Sequence, residues 1–196
     1  MKTRLKVGIL LFNEVEVLDF AGPFEVFSLA EKDEEKLFDV ITIAETETTI
    51  SARNGLKIVP EFTFLNHPDL DILIIPGGYG ADHIEIKNPV TLNWIQKQFA
   101  KVSITASVCT GAFLLAECGL LNNKKATTHW MDLDILAKAY PKISVIKDVK
   151  YIDEDNLITA GGISAGINMS FYIITKLFGK EIAKFTAKKM EYDIEI

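Results

Sequence analysis

Apolar residues along this chain fall into short unbroken runs separated by segments with helical spacing. Val7 to Phe12 is one such run, of the kind expected for a strand buried on both faces. The region from about Asp19 to Ala30 then predicts a helix in which Phe20, Phe24, Phe27 and Leu29 share a face. Phe38 to Ala44 is rich in β-branched residues and reads as a strand. Thr48 to Arg53 and Leu56 to Val59, joined by Asn54-Gly55, predict a small antiparallel hairpin. The unit recurs at Leu70 to Ile75, which ends at Pro76-Gly77-Gly78 and leads to a helical pattern from Pro89 to Phe99 carried by Leu92, Ile95, Gln96 and Phe99. Val102 to Val108 runs into Cys109, and Gly111 to Glu117 is helical with Gly119 as its C-terminal stop.

The remainder predicts short strands at Ala126 to Thr128, Ile143 to Ile146, Lys150 to Asp153 and Leu157 to Ala160, with a helix around Asp132 to Tyr140. Two helices follow, Ser164 to Phe178 and Lys180 to about Glu191. Strands alternating with helices predict an α/β fold: a flavodoxin-like, doubly wound, mainly parallel sheet with helices on both faces and a small antiparallel addition. No linker or repeat divides residues 1–196, so one domain is expected.

With 48% hydrophobic and 24% charged residues, the composition is that of an ordinary globular chain. Twenty-one basic against twenty-seven acidic residues give a formal charge of -6, which argues against nucleic acid and anionic membranes as partners. The stretch from Ile104 to Leu121 carries Thr105, Ser107, Thr110, Gly111 and Glu117 and reads as core instead of a membrane span. Lys2, Arg4 and Lys6 precede an apolar run too short for a signal peptide, so a cytoplasmic location is expected. Cys109 and Cys118 match neither a disulfide framework nor a CxxC pair, and His67, His83 and His129 form no metal-ligand pattern.

Ligands of open α/β sheets bind outside the carboxyl ends of the strands. Asp19, Gly77-Gly78, Cys109-Thr110, His129 and Gly161-Gly162 all fall just past predicted strands. Cys109 lies in Ser107-Val108-Cys109-Thr110-Gly111, a strand-to-helix turn that would lift its side chain above the sheet, where the helix terminus favours thiolate. A small buried hydrophobe is the alternative for this cysteine, and is the reading kept for Cys118. Asp19 is either a helix N-cap or, held beside Cys109 in a dry site, an acid with a raised pKa that carries a proton. Glu14, Glu16 and Glu25 read as solvent-facing. Gly77 and Gly78, with the N–H of Thr110, would form a cradle of the oxyanion-hole type or merely a turn. His129 either orients a proton or hydrogen-bonds in the pocket wall, and Trp130 and Tyr79 either shape the pocket or belong to the core.

Taken together, Val17-Leu18-Asp19-Phe20-Ala21-Gly22-Pro23, Ile75-Pro76-Gly77-Gly78, Ser107-Val108-Cys109-Thr110-Gly111-Ala112, Ala126-Thr127-Thr128-His129-Trp130 and Thr159-Ala160-Gly161-Gly162-Ile163-Ser164-Ala165-Gly166-Ile167 resemble the ThiJ/PfpI superfamily, which has a class I glutamine amidotransferase-like fold. The pattern is most similar to isonitrile hydratases and to the sensor domain of AraC-type regulators. The resemblance implies that Cys109 attacks the isonitrile carbon, Asp19 transfers the proton and water resolves a thioimidate to an N-substituted formamide, with Thr110 supporting Cys109 and the resolving water and Gly78 and Gly162 lining the site. It also implies a small-molecule substrate, no metal or organic cofactor, and a homodimer. Thr110 stands where the peptidase-like branch has histidine, which disfavours a Cys-His dyad. Asp19 stands where glyoxalases and deglycases usually carry glutamate. Asn168 replaces a frequent aspartate after Ala165-Gly166-Ile167. A regulator needs a further DNA-binding domain, and only five residues follow Glu191, so a complete regulator is not expected. A small-molecule or redox sensor using Cys109 and a glyoxalase-like activity on aldehydes remain as alternatives.

Overall fold

The computed structural model describes residues 4–194; Lys2 of the N-terminal basic trio lies outside them. Seven strands make the main sheet: β1 (Leu5–Leu10), β2 (Phe38–Ala44), β3 (Phe62–Thr63), β4 (Ile72–Ile75), β5 (Ile104–Val108), β6 (Tyr151–Glu154) and β7 (Leu157–Ala160). Their order is β6-β7-β5-β4-β1-β2-β3, and every neighbouring pair is parallel except β6-β7. β1, β4 and β5 lie at the centre and are covered on both faces: Val7 to Leu10 and all of β4 and β5 are buried, β1 and β4 as near-continuous apolar runs and β5 with Thr105 and Ser107 buried among its apolar residues.

Among the described residues seven α-helices accompany the sheet: α1 (Val17–Leu29), α2 (Tyr79–His83), α3 (Pro89–Phe99), α4 (Gly111–Glu117), α5 (Leu133–Ala139), α6 (Ala165–Phe178) and α7 (Lys180–Lys189). α1, α6 and α7 pack on one another against one face, and α2, α3 and α4 group on the other. The chain leaves β1 toward β2 on one side, while β4 lies on the other. The crevice outside the carboxyl ends of β1 and β4 is therefore the topological switch point where ligands of such sheets bind.

Several elements differ in detail from the sequence pattern. α1 begins at Val17 with Glu16 in the N-cap position, so Asp19 is a first-turn residue and not the cap. Its buried face is Phe20, Pro23 and Phe27, and Phe24 is 37% exposed. The buried stripe of α3 is Thr91, Trp94, Ile95 and Gln98, one position before the expected one at most points. The expected hairpin is shorter, with Ile50–Ser51 pairing Lys57–Ile58 around a 3-10 turn at Arg53–Gly55. Lys125–Ala126 and Ser144–Val145 pair with each other in parallel and form a separate small sheet. The hairpin of Glu31–Lys32 and Glu35–Lys36 has no apolar alternation to announce it.

Alternation along β5 puts Thr105 and Ser107 on one face and Ile104, Ala106 and Val108 on the other. Thr105 is 1% exposed, and its hydroxyl finds no partner among the described residues. Thr105→Val preserves the shape and removes the desolvated hydroxyl. We expect it to raise unfolding free energy by about 1 kcal/mol in urea denaturation; a loss would show that the hydroxyl is satisfied.

Candidate active site

Cys109 follows β5 directly and has φ 56°, a left-handed conformation that few non-glycine residues adopt. The turn is held from two sides. Its N–H donates to the carbonyls of Ala160 (3.2 Å) and Gly161 (3.0 Å) at the end of β7, and its carbonyl accepts from the Thr128 hydroxyl at 2.7 Å. The side chain is lifted off the strand as expected, yet the residue is only 7% exposed.

Asp19 arrives from the first turn of α1 and is completely buried. The N–H of Gly77 donates to its Oδ2 at 2.9 Å, and Oδ1 has no well-formed hydrogen bond among the described residues. The Cys109 thiol and the Ile163 N–H nevertheless lie close enough to favour its charged form. Burial outweighs these contacts and raises the carboxyl from 3.8 to about 7, with nearby Glu16 adding to the rise.

The glycine pair plays a different part from the expected cradle. Gly77 N–H is taken by Asp19, and Gly78 N–H donates to Thr110 Oγ1 at 2.9 Å. The Thr110 hydroxyl donates back to the Gly78 carbonyl at 3.2 Å, so it clamps the turn after β4. A Cβ on Gly77 would lie 2.5 Å from the Thr110 nitrogen, so only glycine lets the two turns meet. The backbone donors that bear on the Cys109 sulfur are those of Thr110 and Ile163. Ile163 was not singled out in the sequence. It has φ 50°, uncommon for a β-branched residue, and the Gly161-Gly162 turn before it is the one signal of its placement.

His129 is seated on Gly162, where a Cβ would come within 2.0 Å of the ring. Its Nδ1 faces Asp132 Oδ2 at 3.5 Å and the Met131 N–H at 3.4 Å, and no hydrogen bond joins it to Cys109 or Asp19 among the described residues. Burial raises the pKa of Asp132, with His129 opposing the rise. A cavity of about 470 Å³ is walled by His129, Trp130, Leu133, Val149, Gly162 and Ile163; Cys109 is not in its wall, but Thr128, Gly161 and Ile163, which hold the Cys109 turn, are. Cys118 is buried, with its thiol 3.5 Å from the Leu92 carbonyl, and lies apart from this site. No group of three or more His, Cys, Asp or Glu among the described residues is arranged to hold a metal.

An acid and a thiol brought together on an α/β switch point, with Cys109 on a strained turn, fit one known pattern, and the DJ-1/PfpI pattern matches residues 5–176. The chain belongs to the DJ-1/PfpI family. It is 35% identical over 190 residues to an isonitrile hydratase from Pseudomonas putida, covering 96% of this chain and 78% of that protein. It is 26% identical to the HTH-type transcriptional regulator GbdR from Pseudomonas aeruginosa, over 95% of this chain and 50% of the regulator. The fold superposes on a ThiJ/PfpI family protein from Pseudomonas syringae with TM-score 0.87 at 27% identity, covering 99% of this chain and 77% of that one.

In this DJ-1/PfpI chain the thiol departs from the helix-terminus expectation. Burial, and then the Asp19 charge, push the Cys109 thiol well above its ordinary value, while the Thr110 and Ile163 N–H groups pull the other way and Asp132 adds a smaller rise. The resting pair is therefore a neutral thiol beside a carboxyl that titrates near neutrality. Among the described residues, no helix is long and apolar enough to cross a membrane.

The raised carboxyl has a consequence for stability. Below about pH 4 the acid is protonated in both folded and unfolded chains, and no penalty arises. Between 3.8 and about 7 the folded state holds the proton that the unfolded state releases, so stability falls as pH rises. At 1.36 kcal/mol per pKa unit the full penalty is about 4 kcal/mol, constant above that window. Asp19→Asn removes it while keeping an oxygen for the Gly77 N–H. We expect the variant to gain melting temperature over wild type at pH 8 and to lose that advantage by pH 4; a pH-independent difference would contradict the raised carboxyl.

Proposed function

We propose that this chain is a cysteine-dependent hydratase that converts an isonitrile to an N-substituted formamide. The observation that carries the reading is the pairing of a neutral Cys109 thiol with Asp19, whose pKa is about 7. An isonitrile must receive a nucleophile and a proton at the same terminal carbon. A thiol and a proton-carrying acid buried next to each other are suited to that addition.

In this scheme Asp19 takes the thiol proton as the sulfur attacks, then delivers it to the isonitrile carbon. The C–S bond forms and a thioimidate, R–N=CH–S–Cys109, results. Water adds to that carbon, passing its proton through Asp19 to the nitrogen. The tetrahedral intermediate collapses with cleavage of the C–S bond, the hydroxyl proton returns to sulfur, and R–NH–CHO leaves. One isonitrile and one water are consumed for each formamide. The Thr110 and Ile163 N–H groups face the sulfur and would hold the developing charge, while Gly77, Gly78 and the Thr110 hydroxyl position the acid and the turn. His129 and Gly162 belong in this reading to the substrate wall.

The 35% identity to the Pseudomonas putida isonitrile hydratase supports this assignment over the other activities in the family. A redox-sensor role fits the site less well, because the thiolate is the species that oxidants attack and burial beside Asp19 disfavours it. Following the family resemblance, we read the protein as a cytoplasmic homodimer of one-domain chains, acting on a small molecule without metal or organic cofactor.

NMR detection of formamide from cyclohexyl isocyanide tests the reading, with Cys109→Ala and Asp19→Asn as controls. Wild type is expected to turn over. Asp19→Asn should lose about 10²- to 10⁴-fold, the usual worth of a general acid-base group, and Cys109→Ala at least as much. Folded wild type that gives no formamide but consumes methylglyoxal would replace this assignment with the aldehyde activity.

A further inference from the structure

Trp130 is 74% exposed, an unusual position for an indole, and it forms a wall of the cavity that shares Thr128, Gly161 and Ile163 with the Cys109 turn. The cavity holds about 470 Å³, within the range of small-molecule sites. An isonitrile group fills about the space of two waters, roughly 60 Å³ at about 30 Å³ each. Most of the room therefore belongs to whatever the nitrogen carries. Leu133, Val149 and Ile163 give the cavity an apolar wall beside Trp130, while Thr127, Thr128 and Ser164 add hydroxyls, and the charged residues, Asp148 and Lys150, are both exposed. Ile163 joins this space to the reacting centre, because its N–H bears on the Cys109 sulfur.

We propose that Trp130 is a specificity-determining residue, a flat apolar platform on which the bulky alicyclic or aromatic substituent of the substrate lies. The proposal rests on the hydratase reading for the reacting group and on the cavity for the substituent. Its position explains why an indole stays exposed: bound substituents cover it, as aromatic side chains at binding sites are covered by their ligands. His129 supports it from behind, its ring 5.9 Å from the indole and seated on Gly162.

The molecule supplies its own probe, since it has two tryptophans. Trp94 is 6% exposed, stacked on Phe64 at 4.3 Å, with its indole N–H donating to His67 Nε2 at 3.1 Å. Emission that responds to a ligand in the cavity therefore comes from Trp130. N-cyclohexylformamide, unreactive and transparent at the excitation wavelength, is expected to give a saturable blue shift in wild type. Saturation-transfer NMR should show its binding lost in Trp130→Ala and kept in Trp130→Phe. In turnover, Trp130→Ala should lower kcat/KM for cyclohexyl isocyanide about 10- to 100-fold, mainly through KM, and change methyl isocyanide by less than about 3-fold.

Equal binding of the formamide to Trp130→Ala and wild type would overturn the platform, as would the absence of any wild-type shift. Emission that is already blue in the free protein, and that reddens as a dimer dissociates on dilution, would assign this face to a second copy and overturn it too. A saturable Trp130 shift without turnover of any isocyanide would leave the platform supported and count against the hydratase reading alone.

Discussion

Burial of the Asp19 carboxyl is the constraint around which this molecule is organised. A completely buried acid with one firm hydrogen bond resists ionisation, and every neighbouring group is affected by that resistance. Gly77 must turn its N–H inward to satisfy Oδ2, which places the end of β4 against the first turn of α1. The Cys109 thiol, sharing the same low-dielectric space, stays neutral because a second negative charge there is costly. The proton shared by the two groups thus rests on sulfur, with Asp19 as the neighbouring base that can take it, and the surrounding apolar core holds both in place.

The backbone around this pair is shaped for close approach. Cys109 keeps its left-handed conformation because Ala160, Gly161 and Thr128 hold its amide and carbonyl from outside the turn. Strain of this kind persists only where the surroundings over-determine it. Gly77 admits the Thr110 backbone, and Gly162 admits the His129 ring. Four chain segments therefore converge within a few ångströms without bulky side chains filling the gap between them.

Much of this arrangement was legible in the order of residues. Strands β1 and β4 announced themselves because burial on both faces favours near-continuous apolar runs, and looking past the predicted strand ends picked out Asp19, Cys109, Thr110, Gly77, Gly78, His129 and Gly162 as candidates. What was less visible depended on tertiary choice. Which acceptor a glycine N–H takes has no local signature, so the expected cradle became a brace for Asp19 and Thr110. Ile163 acts through its amide, which any residue possesses. The buried stripe of α3 shifted by one position because Trp94 packs on Phe64 and His67 from a distant loop, a contact that helical spacing alone does not encode. The reversal at Cys109 has the same origin: a five-residue pattern shows the turn but not the depth of burial or the acid across from it.

That reversal also bears on the kind of chemistry the site favours. A preformed thiolate suits a strong electrophile and needs an exposed, electropositive setting. Here the sulfur becomes nucleophilic only as its proton moves to Asp19, so attack and proton transfer are linked through one short path. A substrate that accepts both sulfur and proton gains from the linkage, since the proton that Asp19 takes from sulfur passes on to the same carbon and the adduct carries no charge. A substrate that only draws electrons from sulfur leaves Asp19 holding the proton with nowhere nearby to deliver it. A buried acid paired with a buried thiol is thus suited to addition across a neutral small molecule, and the neighbouring cavity keeps its charged residues, Asp148 and Lys150, on the exposed side.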